Sequence, residues 1–392
     1  MALFCPYCSS HFDPADLTFR CANLNGTCTP EPDAVLGQAT ALVEPPLLGR
    51  TFRAPSRLLT RWLGLGVHRT ARCSCGVESS IRLCPHCHQE FPAGIEETDT
   101  LLIPVLGARG SGKSHFIGVL LHELRHRVGE RFRATLNSAC DRTRRTYDEH
   151  YARYLFRERR VIPPSSRTAT AEPLIYQLSI ADENPKRAGR IVTLVFYDVA
   201  GPLIDSTGTL VSSHPHLADA AALLFVIDPL QIPSVGPLAG NELTAGNNAI
   251  DSLEILSRAD EGLRNLRGTG LFRKTAIPIA VTFSKMDTVS AILPSVSALN
   301  RTASRGAFFD LIDFEQVHSE MQSLGNRWIG VGLETFLHQR FSKYAYFGIS
   351  ALGHAPRNGL LSDGIAPMRI EDPLLWLLYE LNVLAGKRRR FV

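Results

Sequence analysis

The fold of this chain is decided by residues 101–116, which read Leu-Leu-Ile-Pro-Val-Leu-Gly-Ala-Arg-Gly-Ser-Gly-Lys-Ser-His-Phe. The apolar run 101–106 predicts a buried strand, the glycine-rich turn 107–112 follows it, and an amphipathic helix opens at Lys113 and Ser114. Glycines leave room for successive backbone N–H groups to curl around phosphate oxygens, and the helix N-terminus adds partial positive charge there. This strand–loop–helix therefore predicts a site for nucleotide phosphates.

Two side chains of this motif have roles that follow from their chemistry. Lys113 is expected to reach the β- and γ-phosphates, and the Ser114 hydroxyl is expected to bind Mg²⁺. A glycine turn that ends in Gly-Lys-Ser by chance is disfavoured by the strand before it and the helix after it. The residues predicted to contact the nucleotide in this stretch are Gly107, Arg109, Gly110, Ser111, Gly112, Lys113, Ser114 and His115.

The composition and the net charge limit the class of protein to which the chain can belong. A chain of 392 residues has room for two or three domains, and 44% hydrophobic with 20% charged residues is ordinary for a globular protein. The net charge of +4 is too small to argue for nucleic acid as a partner. No run reaches the roughly 18 apolar residues of a membrane-spanning helix, and the N-terminus has no export signal. These features predict a cytoplasmic protein without a membrane span.

Eight of the nine cysteines lie in the first 90 residues, in clustered pairs, which in a reducing compartment predicts metal ligation. Four thiolates make one closed tetrahedral site for structural Zn²⁺, so eight predict two such sites. Proximity along the chain groups Cys5, Cys8, Cys21 and Cys28 in one site and Cys73, Cys75, Cys84 and Cys87 in the other. Interleaved grouping is the alternative, and the tight Cys73-x-Cys75 spacing leaves His86 or His88 as a substitute ligand.

After the first helix the chain carries features expected near the γ-phosphate. The polar loop 165–171 precedes a strand at 174–180, and Thr168 or Thr170 in that loop could complete the Mg²⁺ shell. A second strand ends in Asp198-Val-Ala-Gly201, where the carboxylate can hold Mg²⁺ and the Gly201 N–H can meet the γ-phosphate. Before these features, in residues 125–160, arginines interleaved with tyrosines predict an amphipathic helix with a charged face, rather than a nucleic-acid surface.

Two later strand ends predict recognition of a base. The strand at 276–283 runs into Ser-Lys-Met-Asp at 284–287, and the carboxylate of Asp287 can accept both the N1–H and the N2 amino protons of guanine. Adenine presents no such donor pair. Lys285 can lie along the base and brace the phosphate loop, and a backbone N–H after the last strand could meet guanine O6. The residues predicted to form the base site are Ser284, Lys285, Asp287, Ser350, Ala351 and Leu352.

In this order, the four motifs resemble those of GTPases of the TRAFAC class, over residues 100–386. Within that class, the chain resembles the bacterial double-GTPase family in three features. These are the cysteine-rich head, the sequence Phe-Tyr-Asp-Val-Ala-Gly and the closing sequence Asp-Pro-Leu-Leu-Trp-Leu-Leu. The resemblance implies a switch that binds and hydrolyses GTP with Mg²⁺ and releases GDP. It also implies nearby-encoded partner proteins, including a second GTPase, in gene clusters proposed to act in biological conflict. The residues to which it assigns catalysis are Lys113, Asp198, Gly201, Thr168 and Thr170.

Three positions depart from the pattern of the class. Pro202 stands where many GTPases carry the glutamine that orients the attacking water, so intrinsic hydrolysis is expected to be slow or to need a partner. Arg109 lies in the loop where a small residue is common, and it could contact phosphate or a partner. Ser284 replaces the more usual Asn or Thr, which is expected to soften base recognition.

Together these patterns predict an α/β P-loop NTPase with a mostly parallel sheet flanked by helices. The expected boundaries are 1–95 for a two-zinc module with its linker, 98–386 for the GTPase domain and 387–392 for a basic tail. A P-loop ATPase and a non-catalytic GTP-binding adaptor that works through its zinc module are the alternatives. A nucleic-acid-binding zinc protein is disfavoured because residues 1–100 carry eight Lys and Arg against ten Asp and Glu.

Overall fold

The structure, a computed structural model, describes residues 3–22, 26, 28–54, 69–164, 172–182, 189–199, 214–239, 252–270, 273–293, 296–301 and 308–388, except for the side chains of 128–131. The chain separates into two compact units, residues 1–100 and residues 101–392. Predictions for Thr168, Thr170 and Gly201 lie outside the described residues.

The first unit is built from very short strands. Its three-stranded antiparallel sheet has the order Thr51–Arg53, Thr18–Arg20, Ile81–Leu83. Two-residue antiparallel pairs and one short helix complete it: Leu3–Phe4 with His11–Phe12, Glu31–Pro32 with Leu47–Leu48, Ala71–Arg72 with Glu78–Ser79, and helix Ala34–Ala39. Its apolar core forms around cysteines, with Phe19 and Leu83 fully buried. So small a core usually needs a further stabilising element such as metal.

The second unit contains a seven-stranded sheet. Its strands in chain order are β1 Asp99–Gly107, β2 Ala134–Ser138, β3 Leu174–Ile180, β4 Arg190–Asp198, β5 Leu223–Ile227, β6 Ile279–Phe283 and β7 Tyr344–Gly348. Across the sheet the order is β2-β3-β4-β1-β5-β6-β7. β5, β6 and β7 continue from β1 in parallel, whereas β3 is antiparallel to both β2 and β4. The predicted α/β class is confirmed. The predicted parallel character holds for the four neighbouring strands β1, β5, β6 and β7.

Besides short 3-10 turns, the helices in the described part of the second unit are α1 Lys113–Phe132, α2 Asp141–Tyr147, a π-helix Asp148–Arg157, α3 Ser252–Arg267, α4 Leu311–Ile329, α5 Val331–Arg340 and α6 Asp372–Glu380. A small parallel pair, Phe309–Asp310 with Gly386–Lys387, lies beside them. In the part of the chain that the structure describes, no helix has the length and apolar character to cross a membrane.

The strands at the centre of the sheet are apolar because both faces are covered. All five residues of β5 and all five of β6 are buried, as expected for parallel strands packed on two sides. This packing fixes where each strand ends. The carboxyl ends of β1, β5, β6 and β7 therefore meet at one edge, where polar side chains can converge.

The tyrosine-rich segment after α1 packs against that helix. The Tyr147 hydroxyl donates to Gly118 O across 2.9 Å, and the Tyr151 and Leu155 side chains are buried. A Cβ at Gly118 would come 2.8 Å from Leu155 Cδ1, so the absent side chain permits this close approach. The expected amphipathic helix is present, but its second half is π-helical.

Candidate nucleotide site and cysteine clusters

The phosphate loop leaves β1 at Gly107 and enters α1 at Lys113. Gly110 and Gly112 have φ values of 76° and 91°, in the left-handed region that favours glycine. A Cβ at Gly107 would lie 2.2 Å from Val226 O of β5, so the loop can begin there only without a side chain. The predicted strand–loop–helix is therefore present, with its bend supplied by glycines.

Five successive carbonyl oxygens of this loop each accept a hydrogen bond from a side chain. The donors are Lys113 Nζ to Gly107 O (2.9 Å) and Ala108 O (2.8 Å), Gln231 Nε2 to Arg109 O (2.9 Å), Lys285 Nζ to Gly110 O (3.0 Å) and Ser284 Oγ to Ser111 O (2.7 Å). Since the C=O and N–H of a peptide unit point in opposite directions, this arrangement turns loop N–H groups away from the donors. Such a row of N–H groups forms an anion-binding concavity.

Lys113 is folded back onto its own loop. Burial lowers the pKa of its ammonium group to about 8, and the nearby charge of Asp198 opposes that shift. The two carbonyls that it contacts are weak partners for a buried cation. Phosphate oxygens would be stronger partners for the ammonium group, because they carry negative charge and the carbonyl oxygens are neutral.

Ser114 and Asp198 are brought together at the carboxyl ends of β1 and β4. The Ser114 hydroxyl donates to Asp198 Oδ2. Burial raises the pKa of Asp198, and Lys113 opposes that effect. Asp198 Oδ1 is buried and accepts no hydrogen bond of ordinary geometry from the described residues, while the nearby Tyr151 hydroxyl acts to lower the pKa of the carboxyl group. A hydroxyl beside a carboxylate with an unused oxygen fits the oxygen ligands that Mg²⁺ takes.

The predicted base residues lie at the ends of β6 and β7. Asp287 Oδ1 accepts a hydrogen bond of 2.5 Å from Ser350 Oγ, which in turn accepts the Gly353 N–H at 2.8 Å. The Ser350 N–H donates to Met368 O, whereas the Ala351 N–H donates no hydrogen bond in the described part of the chain. Ala351 rather than Ser350 therefore has a free donor, and Leu352 uses its carbonyl to accept the Ala366 N–H.

Ser284 and Lys285 contact the phosphate loop. Ser284 is buried and bonds Ser111 O and Ile227 O, and Lys285 has a positive φ of 52° that carries its side chain to Gly110 O. Sequence reasoning predicted that Lys285 braces the loop but assigned Ser284 to the base. In the structure the Ser284 hydroxyl donates to Ser111 O in the loop and to Ile227 O at the end of β5.

The remaining loop residues have distinct surroundings. The Ser111 hydroxyl is fully buried and has no hydrogen-bond partner in the part of the chain described. Arg109 is exposed, and in the same part of the chain its guanidinium forms no ion pair or hydrogen bond. His115 Nε2 accepts the Ile162 N–H at 3.1 Å, and burial, with the charge of Lys285, lowers its pKa to about 4. His115 is therefore a neutral contact to the segment before loop 165–171.

Two functional candidates were missed by sequence reasoning. Asp228, at the end of β5, pairs with Lys285, and Gln231, three residues later, holds the Arg109 carbonyl. A carboxylate directly after a buried strand, followed by a proline, was the available signal for Asp228. Gln231 gave no signal, because its role depends on where the chain turns after β5.

The eight cysteines of the first unit form two clusters of four, in each of which the sulfur atoms lie within 4.8 Å of one another. The clusters are Cys5, Cys8, Cys84, Cys87 and Cys21, Cys28, Cys73, Cys75. Sulfur–sulfur distances of 3.5 to 3.9 Å are recorded within them. A tetrahedral Zn²⁺ with bonds of about 2.3 Å separates its sulfurs by about 3.8 Å, so both clusters fit zinc.

The grouping by proximity along the chain is wrong, and the interleaved grouping is correct. Each cluster takes one pair of cysteines from before residue 30 and one from after residue 70, because the strands Thr18–Arg20 and Ile81–Leu83 pair side by side. Neither His86 nor His88 belongs to a cluster. His88 instead pairs with Asp33 at 2.8 Å through Nδ1.

The fold and the site define two units: an α/β unit with a glycine-rich loop suited to phosphate, consistent with a P-loop NTPase-like fold, and a unit with two four-cysteine clusters. No protein-family profile matches the chain. It is similar to SaeC of Mycolicibacterium smegmatis, provisionally named an ESX-1 scaffolding and assembly protein, with 28% identity over 332 residues, 78% of this chain and 81% of SaeC. The structure of the signal recognition particle receptor SRb-GTP/SRX complex from Chaetomium thermophilum aligns at 11% identity, TM-score 0.28, over 67% of this chain and 95% of that chain. A TM-score that low does not establish a shared fold.

Proposed function

We propose that this chain is a GTP-binding and GTP-hydrolysing switch that acts with partner proteins. The observation that carries the proposal is the phosphate loop, in which every carbonyl from Gly107 to Ser111 is held by a side-chain donor. A loop held in this way has its N–H groups organised before any ligand arrives, which lowers the entropy cost of binding.

The phosphate half of the site has three further supports. Lys113 is a buried cation whose present partners are neutral carbonyls, Ser114 adjoins Asp198, and Asp198 has an unused oxygen. Mg²⁺ bound to Ser114 and Asp198 would neutralise charge on the phosphate oxygens. The chain itself would contribute the Lys113 ammonium and the loop N–H groups as fixed donors.

The base half of the site favours guanine over adenine. Ser350 holds one oxygen of Asp287, which orients the carboxylate and leaves its second oxygen for a donor on the base. The Ala351 N–H is a donor suited to a carbonyl oxygen such as guanine O6. Adenine would displace water from the half-buried carboxylate without supplying a donor pair in its place, which disfavours adenine relative to guanine.

Hydrolysis is proposed to be slow in the isolated chain. Pro202 has no side-chain donor or acceptor with which to orient water, so a partner-supplied group is expected to raise the rate by about 10³-fold or more. Loop 163–171, with Thr168 or Thr170, and the segment after Asp198, with Gly201, would respond to the γ-phosphate. We propose 98–386 as the GTPase domain, 1–95 as the two-zinc module, 387–392 as a basic tail, and the cytoplasm as the compartment.

The similarity to SaeC supports a role with partner proteins, and it favours one second candidate. A scaffold could use bound GTP as a structural ligand and present its zinc module as the working surface. A role in bacterial conflict, with a second GTPase as partner, follows only from the family resemblance and stays a prediction.

Equilibrium binding of GTP, GDP, ATP and xanthosine triphosphate with Mg²⁺ tests the proposal on the full chain. Wild type is expected to prefer GTP, Asp287→Asn to shift preference toward the xanthine nucleotide, and Lys113→Ala to weaken all triphosphates. Equal or tighter ATP binding, indifferent to Asp287→Asn, would assign the site to ATP. Phosphate release over many turnovers separates the switch from the scaffold, which would bind GTP without releasing phosphate.

A further inference from the structure

Gln231 and Asp228 lie outside every motif that the sequence displays, yet both act on the phosphate loop. Gln231 ends the short 3-10 turn Pro229–Gln231 directly after β5, and its Nε2 reaches Arg109 O at 2.9 Å. No other side chain in the described part of the chain is seen to donate a hydrogen bond to that carbonyl. A Cβ at Gly110 would lie 3.3 Å from the same Nε2, so the amide is packed against the loop.

Asp228 organises this contact and a second one. Its Oδ1 accepts the Leu230 N–H at 2.9 Å and so caps the turn that carries Gln231. Its Oδ2 pairs with Lys285 Nζ at 2.5 Å, and the same ammonium donates to Gly110 O. The Asp228 side chain is 3% exposed, so the pair is shielded from competing water on the carboxylate side. One buried carboxylate thus supports the donors of two adjacent loop carbonyls.

We propose that Asp228 and Gln231 are positioning residues that hold the outer part of the loop, residues 109–110, in its phosphate-binding geometry. The role rests on the proposed function, because it presumes that the loop binds nucleotide phosphates. Neither residue is expected to touch the nucleotide. They act from behind the loop, on carbonyls whose peptide N–H groups face the opposite way.

This arrangement has a consequence for selectivity. Among the described residues, the Gln231 side chain hydrogen-bonds only the phosphate loop. Its loss should therefore lower the affinities for GTP, GDP and ATP by a common factor and leave the ratio of GTP to ATP affinity unchanged. Asp228 also holds Lys285, two residues before Asp287, so its loss can disturb phosphate and base recognition together. A purely structural role would change thermal stability without this separation between the two residues.

The test compares wild type with Gln231→Ala, Gln231→Glu, Asp228→Asn and the control Gln322→Ala. Glu keeps the size of Gln but loses the N–H donor. Gln322 Nε2 donates to Glu334 on helices α4 and α5, so the control removes a side-chain amide bond outside the site. Two quantities are measured on the full chain, namely affinity for GTP, GDP and ATP, and amide hydrogen exchange of residues 107–112 without nucleotide.

Both Gln231 variants are expected to lower the affinity for each of the three nucleotides about three- to tenfold, since one hydrogen bond contributes about 0.5–1.5 kcal/mol. They are also expected to speed amide hydrogen exchange in residues 107–112. Asp228→Asn is expected to weaken GTP more than ATP, and Gln322→Ala to change neither quantity. Wild-type binding and exchange in folded Gln231→Ala, or a Gln231→Glu variant that behaves as wild type, would overturn the positioning role alone. Failure of wild type to bind any nucleotide would overturn the proposed function itself.

Discussion

The sulfur atoms of Cys8 and Cys84 lie 3.7 Å apart although 76 positions separate the two residues. Cys5 and Cys87 are joined in the same way, with sulfurs 3.7 Å apart. This cluster therefore ties the start of the first unit to its end. A metal bound there would close a long loop, and the binding energy would contribute directly to folding.

Paired cysteine substitutions distinguish the two groupings by zinc content. Each single Cys→Ser variant is expected to hold one zinc per chain. Cys5→Ser with Cys84→Ser removes ligands from one cluster, so one zinc should remain, whereas Cys5→Ser with Cys21→Ser should remove both. Measurement of zinc per chain in purified protein checks this. The reverse result, with zinc lost from the first double variant and kept in the second, would restore the grouping by proximity.

Substitution of Arg369, which lies outside the predicted nucleotide-binding residues, is expected to lower the stability of the protein strongly. Its side chain is 3% exposed and pairs with Asp372 at 2.6 Å and with Asp313. Burial would lower the pKa of Arg369, but the charges of Asp372 and Asp313 outweigh it and raise that pKa. Arg369→Met removes the cation that two poorly solvated carboxylates share, so the free energy of unfolding should fall by about 3–5 kcal/mol.

Arg388→Met is the matched control for that prediction. Arg388 also pairs with a carboxylate, Glu315, but both side chains are exposed, so the loss should be below about 1 kcal/mol. Denaturant unfolding of both variants gives the comparison. Equal losses would show that burial of the Arg369 cluster does not control its energy.

Lys113 predicts how nucleotide affinity depends on pH. In the free protein burial lowers its pKa to about 8, against the opposing charge of Asp198, so the ammonium loses its proton as the pH rises through that value. Phosphates bind the charged form. Affinity for GTP should therefore be nearly constant below about pH 7 and should fall above about pH 8, by at most about tenfold per unit.

Parallel titrations with GTP and ATP provide the control, because both nucleotides meet Lys113 through the same phosphates. The ratio of their affinities should stay constant while both decline. A decline confined to GTP would point to the base site instead of Lys113.

Sequence patterns predicted those features that depend on neighbours along the chain. The strand, glycine turn and helix around Gly107 and Lys113 form one local unit, and Asp198 follows a strand whose apolar run is unmistakable. The cysteine pairing could not be predicted, because it depends on which short strands lie side by side. Gln231 was missed for the same reason, since it acts on Arg109 O across 122 positions. Strand β2, Ala134–Ser138, was missed because it lies at the edge of the sheet, where its alternation of buried and exposed residues spans only five positions.

Ser350 predicts a loss of base selectivity without a loss of phosphate binding. Its hydroxyl donates to Asp287 Oδ1 at 2.5 Å and accepts the Gly353 N–H, and among the described residues it forms no hydrogen bond with the phosphate loop. Ser350→Ala frees the carboxylate to rotate, so the preference for GTP over ATP should shrink by about three- to tenfold, the effect of one hydrogen bond. Affinity for ATP should stay within about twofold of wild type. Competition binding of the two nucleotides measures both quantities. Ser319→Ala on α4 serves as the control, because the recorded hydrogen bond of Ser319 to Ser323 uses its backbone carbonyl and not its hydroxyl. If Ser350→Ala kept full GTP preference, Asp287 would be oriented by something other than this hydroxyl.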